Sequence, residues 1–172
     1  PVLSVMTFRT PEEAIERAVA LMRSGRLHRY GEQGSGYPEP SLLEQDYAAY
    51  VGSKYCVAVS SCGAAMFIAL KALGVKPGDK VLTSTFTLAP VPGAIAHAGA
   101  DAILIETTAD YVTDLADLDR KAATSGARVF LLSHMRGHIS DLRSVRAICD
   151  RYGIAIIEDC AHTMGAKWDG RH

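Results

Sequence analysis

Five short runs rich in apolar and β-branched residues dominate the sequence: Tyr55–Ser60, Lys80–Thr85, Ala102–Glu106, Arg128–Ser133 and Ile154–Glu158. They recur roughly every 25 residues, the spacing of strands that alternate with helices. Between them lie stretches with helical spacing at Gly63–Leu73, Ala89–Ala98, Leu115–Thr124 and Ser140–Tyr152. The last places Leu142, Val145, Ile148, Cys149 and Tyr152 on one face and stops at Gly153. Strand, helix, strand in this rhythm requires right-handed crossovers and a mostly parallel sheet. The expectation is a three-layer α/β/α domain. The final run, Ile154 to Ile157, is expected to be buried on both faces of that sheet.

The segment before Tyr55 reads differently. Thr10-Pro11-Glu12-Glu13 combines a capping residue, a proline at the first helical position and an acid three residues on. Ile15, Ala18, Val19 and Met22 share one face of the helix that follows, and Ser24-Gly25 ends it. Tyr30 through Pro40 is a glycine-rich loop. Ser41-Leu42-Leu43-Glu44 is a second capping box, opening a short helix that Gly52 closes. The expected organisation is therefore an N-terminal helical segment over residues 1–53 and a sheet domain over 54–172.

Composition excludes several classes. With 172 residues, 48% apolar, the chain can bury a core, and a net charge of −1 leaves no basic footprint for nucleic acid. No apolar run approaches the ~18 residues of a membrane span. The N-terminus lacks the basic-then-apolar pattern of a signal peptide, and its start at Pro1 suggests processing or trimming. Cys56, Cys62, Cys149 and Cys160 show no zinc-type pairing and are expected as free thiols in a reducing cytoplasm.

In a parallel sheet, ligands sit at the carboxyl ends of strands. Four such ends carry polar groups. Glu158-Asp159-Cys160-Ala161-His162 follows the last strand; its adjacent acids point to opposite faces, and both could simply be solvated. Ser60-Ser61-Cys62-Gly63-Ala64-Ala65 turns a strand into a helix of small residues. Its free N–H groups suit a phosphate, although a tight turn capped by serine explains it equally well. Alternatively, Cys62 is a nucleophile whose pKa the helix N-terminus lowers, with His134, His138 or His162 as base. Thr83-Ser84-Thr85-Phe86-Thr87-Leu88 offers hydroxyls and an aromatic that could face a flat ring or pack in the core. Ser133-His134-Met135-Arg136-Gly137-His138 could bind anions or be surface loop; without paired ligand spacing, no metal site is expected.

Taken together, Lys54–Leu70, Gly78-Asp79-Lys80-Val81, His134–Leu142 and Ile157 through Ala166 resemble, in collinear order, the sugar aminotransferases of the DegT/StrS group. The resemblance extends from about Ser24 to His172. It implies an aspartate aminotransferase-like, fold-type I large domain, binding pyridoxal 5'-phosphate (PLP). By the same resemblance, Asp159 pairs with the pyridine nitrogen, which makes the ring an electron sink. His162 lies near the cofactor's phenolic oxygen, and the Ser61-Cys62-Gly63-Ala64 turn holds the phosphate. Gly63 stands where many relatives carry a phosphate-binding threonine. Either Phe86 or Leu88 covers the ring, since the family's stacking aromatic aligns with Leu88 while Phe86 lies two residues earlier.

The resemblance also implies a catalytic lysine well beyond Glu158–His162. Lys54, Lys71, Lys76, Lys80, Lys121 and Lys167 match no such position. The expectation is an incomplete large domain, without that lysine or the small C-terminal domain. For the intact protein, the family implies transfer of an amino group from glutamate or glutamine to a nucleotide-linked keto sugar, in a cytoplasmic homodimer with shared sites. One branch replaces the lysine by histidine and dehydrates sugars instead. A non-catalytic ligand-binding or regulatory domain is the competing reading.

Overall fold

The computed structural model describes residues 11–29 and 37–172. The chain divides into two compact units, Pro1–Ala58 and Val59–His172. The first contains two helices, α1 (Glu12–Ser24) and α2 (Glu39–Val51). Both end as the sequence predicts, on Gly25 and Gly52 in the left-handed conformation, at φ +71° and +69°. Their starts differ from expectation. Thr10 lies outside the described residues, as does most of the loop at 30–36, and α1 opens on Pro11 with no side-chain cap. The capping box at Ser41–Glu44 does not form, because α2 begins earlier, with Pro38 at its cap and Pro40 pre-set for the first turn. Glu44 is used instead to accept the Ala58 N–H at 2.8 Å and to pair with Arg29 at 2.8 Å.

In the second unit, four parallel strands form one sheet: β1 (Lys80–Ser84), β2 (Asp101–Ile105), β3 (Val129–Ser133) and β4 (Ala155–Asp159), in spatial order β2-β1-β3-β4. Helix α3 (Cys62–Ala72) precedes β1, α4 (Pro90–His97) and α5 (Leu115–Ser125) flank β2, and α6 (Leu142–Arg151) joins β3 to β4. The mostly parallel sheet and the three layers agree with the sequence reading. The run Tyr55–Ser60 does not: it forms no ladder with the four described strands. Two of its large apolar side chains are largely exposed, Tyr55 at 76% and Val57 at 67%. Propensity alone does not make a strand where no neighbour shares its hydrogen bonds.

Side-chain alternation sorts the sheet into two cores. On one face, Val81, Val129 and Leu131 pack with Met66 and Leu70 of α3 and Val91 and Ile95 of α4. On the other, Leu82, Phe130 and Leu132 pack with Leu118 of α5 and Val145 and Ile148 of α6. Thr83, fully buried in β1, donates its hydroxyl to the Leu131 carbonyl at 3.0 Å, so its own polar group is satisfied. β4 departs from its expected burial: it is an edge strand of this sheet, and Ala155, Ile156 and Ile157 are only half-buried. Ile157 nevertheless packs on the α3 side and Ile156 on the α6 side. By alternation, Asp159 then shares the α3 face and Glu158 the α6 face, as adjacent acids in a strand should. Chain progression reverses between β1 and β3, which is where an open parallel sheet leaves a crevice beyond its strand ends.

Candidate active site

Asp159 is the centre of a hydrogen-bonded group at the carboxyl end of the sheet. The β3–β4 register sets Ser133 opposite Asp159, and the Ser133 hydroxyl donates to Oδ2 at 2.9 Å. The Ala161 N–H donates to Oδ1 at 3.2 Å, as the chain turns out of β4. The Cys62 thiol, at the first turn of α3, also donates to Oδ1, at 3.5 Å. The carboxylate is thus fixed by a neighbouring strand, by its own loop and by a helix, while remaining partly exposed.

Helix α3 starts because Ser61 caps it. Its hydroxyl accepts the Ala64 N–H at 3.1 Å, and its carbonyl accepts the Ala65 N–H at 3.0 Å. Among the described residues, the N–H groups of Cys62 and Gly63 have no such partner. They form the positive end of an eleven-residue helix beside Asp159. Gly63 has open surroundings: a Cβ there would come only to ordinary contact distance from Pro90, 3.8 Å, and from Ser61 Oγ, 3.9 Å.

The structure overturns the low-pKa thiol. Partial burial pushes Cys62 up, and the Asp159 carboxylate beside it and Cys160 push it further. A helix N-terminus that stabilises a thiolate is here outweighed by burial and by a neighbouring anion. Cys160 is likewise raised, first by burial. The nucleophile reading loses its physical basis.

His162 is exposed and its Nδ1 accepts the Arg136 N–H at 3.1 Å. Arg136 belongs to a single helical turn, Met135–Gly137, that follows β3. His134 is not a surface residue: it is buried at 2% exposure, and its Nε2 lies 3.0 Å from Glu158 Oε2. The β-ladder continues past β3 through the His134 N–H, which donates to the Asp159 carbonyl at 3.1 Å. His134, Glu158 and Cys160 bring three potential ligand atoms within 4.8 Å of one another, two of which share the His134–Glu158 hydrogen bond.

Phe86 and Leu88 take no part in these hydrogen bonds. Phe86 packs on Tyr111, ring centroids 5.0 Å apart, and Tyr111 in turn lies 5.6 Å from His138. Leu88 is 51% exposed. Neither residue is among the partners of Asp159 or His162.

Of the residues singled out in the sequence, Cys62 and Asp159 are in direct contact. Ser61, Gly63 and Ala64 form the helix start beside them, and His162 joins through the loop after β3. Ser133 and the Arg136 amide were not assigned roles from sequence. Their signal was present in the Ser133–His138 junction, but a strand register is needed to show that Ser133 meets Asp159.

Comparison with solved structures gives the same architecture. 3-Amino-5-hydroxybenzoic acid synthase superposes with a TM-score of 0.85 at 26% identity, over 95% of this chain and 41% of that one. DesV of S. venezuelae, solved in complex with a ketimine intermediate, matches with a TM-score of 0.79 at 32% identity, over 93% and 42% respectively. In sequence, the spore coat polysaccharide biosynthesis protein SpsC of Bacillus subtilis (strain 168) is 32% identical over 164 residues, which is 93% of this chain and 39% of SpsC. The chain thus spans about two fifths of the length of these relatives. Among the described residues no helix is long and apolar enough to cross a membrane. With residues 9–172 matching its profile, the chain belongs to the DegT/DnrJ/EryC1/StrS aminotransferase family.

Proposed function

We propose that this chain supplies a cofactor-holding part of the large domain of a PLP-dependent sugar aminotransferase. The observation that carries the reading is the Asp159 carboxylate, held by Ser133, Ala161 and Cys62 at the strand end, beside the unpartnered N–H groups of Cys62 and Gly63. A carboxylate and a helix N-terminus side by side are complementary to a cation and a phosphate on one small molecule. A pyridinium carrying a phosphate has that charge pattern. Two relatives support the assignment: SpsC through its sequence and DesV through its fold, its sequence and its bound intermediate.

When bound, PLP supplies an electron sink for carbanion chemistry, and the protein supplies orientation and electrostatics. Asp159 accepts the hydrogen bond of the ring nitrogen and holds its proton there. Ser133 and the Ala161 amide keep that carboxylate from rotating away. Cys62 and Gly63 seat the phosphate through their main-chain N–H groups, while the Ala64 N–H, assigned to the phosphate by sequence, is held by the Ser61 hydroxyl that keeps the helix start intact. His162 is assigned to the cofactor's phenolic oxygen, and Phe86 or Leu88 to the ring face. The amino donor is glutamate or glutamine and the acceptor a nucleotide-linked keto sugar. The working protein is a cytoplasmic homodimer, organised as an N-terminal helical segment over 1–53 and the PLP-binding domain from residue 54 onward.

Titration of the full-length protein with PLP, followed by glutamate, tests this. A protein-bound chromophore that glutamate converts to the amine form, and that a keto sugar restores, is expected. A protein that stays colourless and binds no PLP overturns the reading. The residue at the family's cofactor-anchoring position separates the alternatives: lysine for amino transfer, histidine for sugar dehydration, neither for a binding domain.

A further inference from the structure

The turn after β3 contains two successive residues in the left-handed region, Arg136 at φ +54° and Gly137 at φ +85°. Glycine adopts this conformation freely. For arginine it is strained, because Cβ crowds the following carbonyl oxygen. Backbone strain of this kind persists where the surroundings enforce it, and it raises the question of what the strained residue does. Here its amide leaves the helical turn and donates to His162 Nδ1 at 3.1 Å. The Arg136 side chain takes no part in that bond.

An imidazole nitrogen that accepts a hydrogen bond carries no proton, so the neutral ring must carry its single proton on the other nitrogen. We infer that the Arg136 main-chain amide, aimed by the left-handed Arg136–Gly137 turn, locks His162 in the Nε2–H tautomer and so makes it an obligatory hydrogen-bond donor. This deepens the proposed function and rests on it for one point only, that His162 faces the cofactor's phenolic oxygen. An oxygen anion there is stabilised by a donor and repelled by a lone pair. Nε2–H supplies the donor, and the opposite tautomer would present the lone pair. Arg136 is thus a positioning residue acting through its backbone, not through its charge.

The histidine tautomers can be read directly in full-length protein labelled with ¹⁵N-histidine, through long-range ¹H–¹⁵N correlations at neutral pH without added PLP. The His162 signals are identified by their loss in His162→Gln. The expected spectrum has a pyridine-like Nδ1 and a pyrrole-like Nε2. A protonated Nδ1, or the averaged shifts of a tautomer mixture, overturns the inference. Arg136→Ala keeps the amide and should keep the tautomer; a change in that variant would assign the effect to the guanidinium and also overturn the proposal. Gly137→Ala strains the turn and should move the two nitrogens toward averaged shifts, with circular dichroism confirming that the variant is folded. Unchanged shifts in a folded Gly137→Ala protein would show that the turn does not aim the amide. Because these readouts need no cofactor, their failure is distinct from failure of the PLP titration.

Discussion

The hydroxyl of Ser133 donates to the carboxylate of Asp159 at 2.9 Å, across a pair of strands whose register makes these two residues direct neighbours. The contact follows from the fold. Parallel strands β3 and β4 end together, and alternation puts both side chains on the face that α3 covers. A helix start, a serine and an aspartate from three separated parts of the chain therefore meet at one point.

Asp159 is assigned the ring nitrogen and Ser133 the task of orienting it. Asp159→Asn is expected to slow turnover of the full-length enzyme by at least about 100-fold, the scale of losing a preorganised electrostatic partner. Ser133→Ala leaves the carboxylate in place but removes one hydrogen bond to a charged group, worth about 1.5–3 kcal/mol. It should weaken PLP affinity by at least about tenfold, measured by absorbance titration, while retaining more turnover than Asp159→Asn.

Ser61 caps α3 through the Ala64 N–H. Ser61→Ala is expected to cost about 0.5–2 kcal/mol in thermal or denaturant unfolding. Because the same helix end is assigned the phosphate, PLP affinity should fall in that variant more than affinity for phosphate-free pyridoxal. Equal losses for the two ligands would remove the phosphate from this helix.

Asp117 gives the fold an acid-sensitive joint. Burial pushes its carboxyl up, but the Glu106 amide at 2.8 Å, the Lys121 ammonium at 2.8 Å and the Arg120 guanidinium outweigh it and hold the group below its ordinary value. Between the folded and unfolded pKa values the unfolded chain binds more protons, so stability rises with pH there. The contribution is complete above the usual carboxylate range near about pH 4 and is lost as pH falls through the lower folded value. Asp117→Asn should therefore destabilise the protein at neutral pH by about 1–3 kcal/mol. The gap to wild type should narrow in unfolding curves taken below about pH 4.

Cys62, Cys149 and Cys160 should be slow nucleophiles. Burial raises Cys149 to about 11, and Cys62 and Cys160 are also raised. Timed alkylation at neutral pH, read by peptide mass spectrometry, should leave Cys149 unmodified until the protein unfolds. Cys62 should react more slowly than a model thiol and more slowly still with PLP bound. Rapid selective labelling of Cys62 would restore the nucleophile that its surroundings argue against.

Much of the sheet domain was readable from pattern. The β-branched runs at Lys80, Ala102, Arg128 and Ile154 are strands, each paired with a parallel neighbour. Tyr55–Ser60 has the same composition and is not one, since a strand is a relation between two segments and no sequence pattern reports its partner. The capping box at Ser41–Glu44 failed for a related reason: Pro38 and Pro40 set the start of α2 through backbone geometry before Ser41 could do so. At the site, Asp159 and the small-residue turn at Ser61–Ala64 stood out because their residue types are tied to chemistry. Ser133 and the Arg136 amide did not, because one depends on register and the other is main chain. The sign of the Cys62 shift was missed because it comes from burial, which sequence does not report, and then from Asp159, 97 positions away.

The most direct measurement is a structure of the full-length protein with PLP bound. The account places the ring nitrogen within hydrogen-bonding distance of the Asp159 carboxylate, with the phosphate on the amides that open α3. A ring nitrogen turned away from Asp159, or a phosphate held elsewhere, would contradict it.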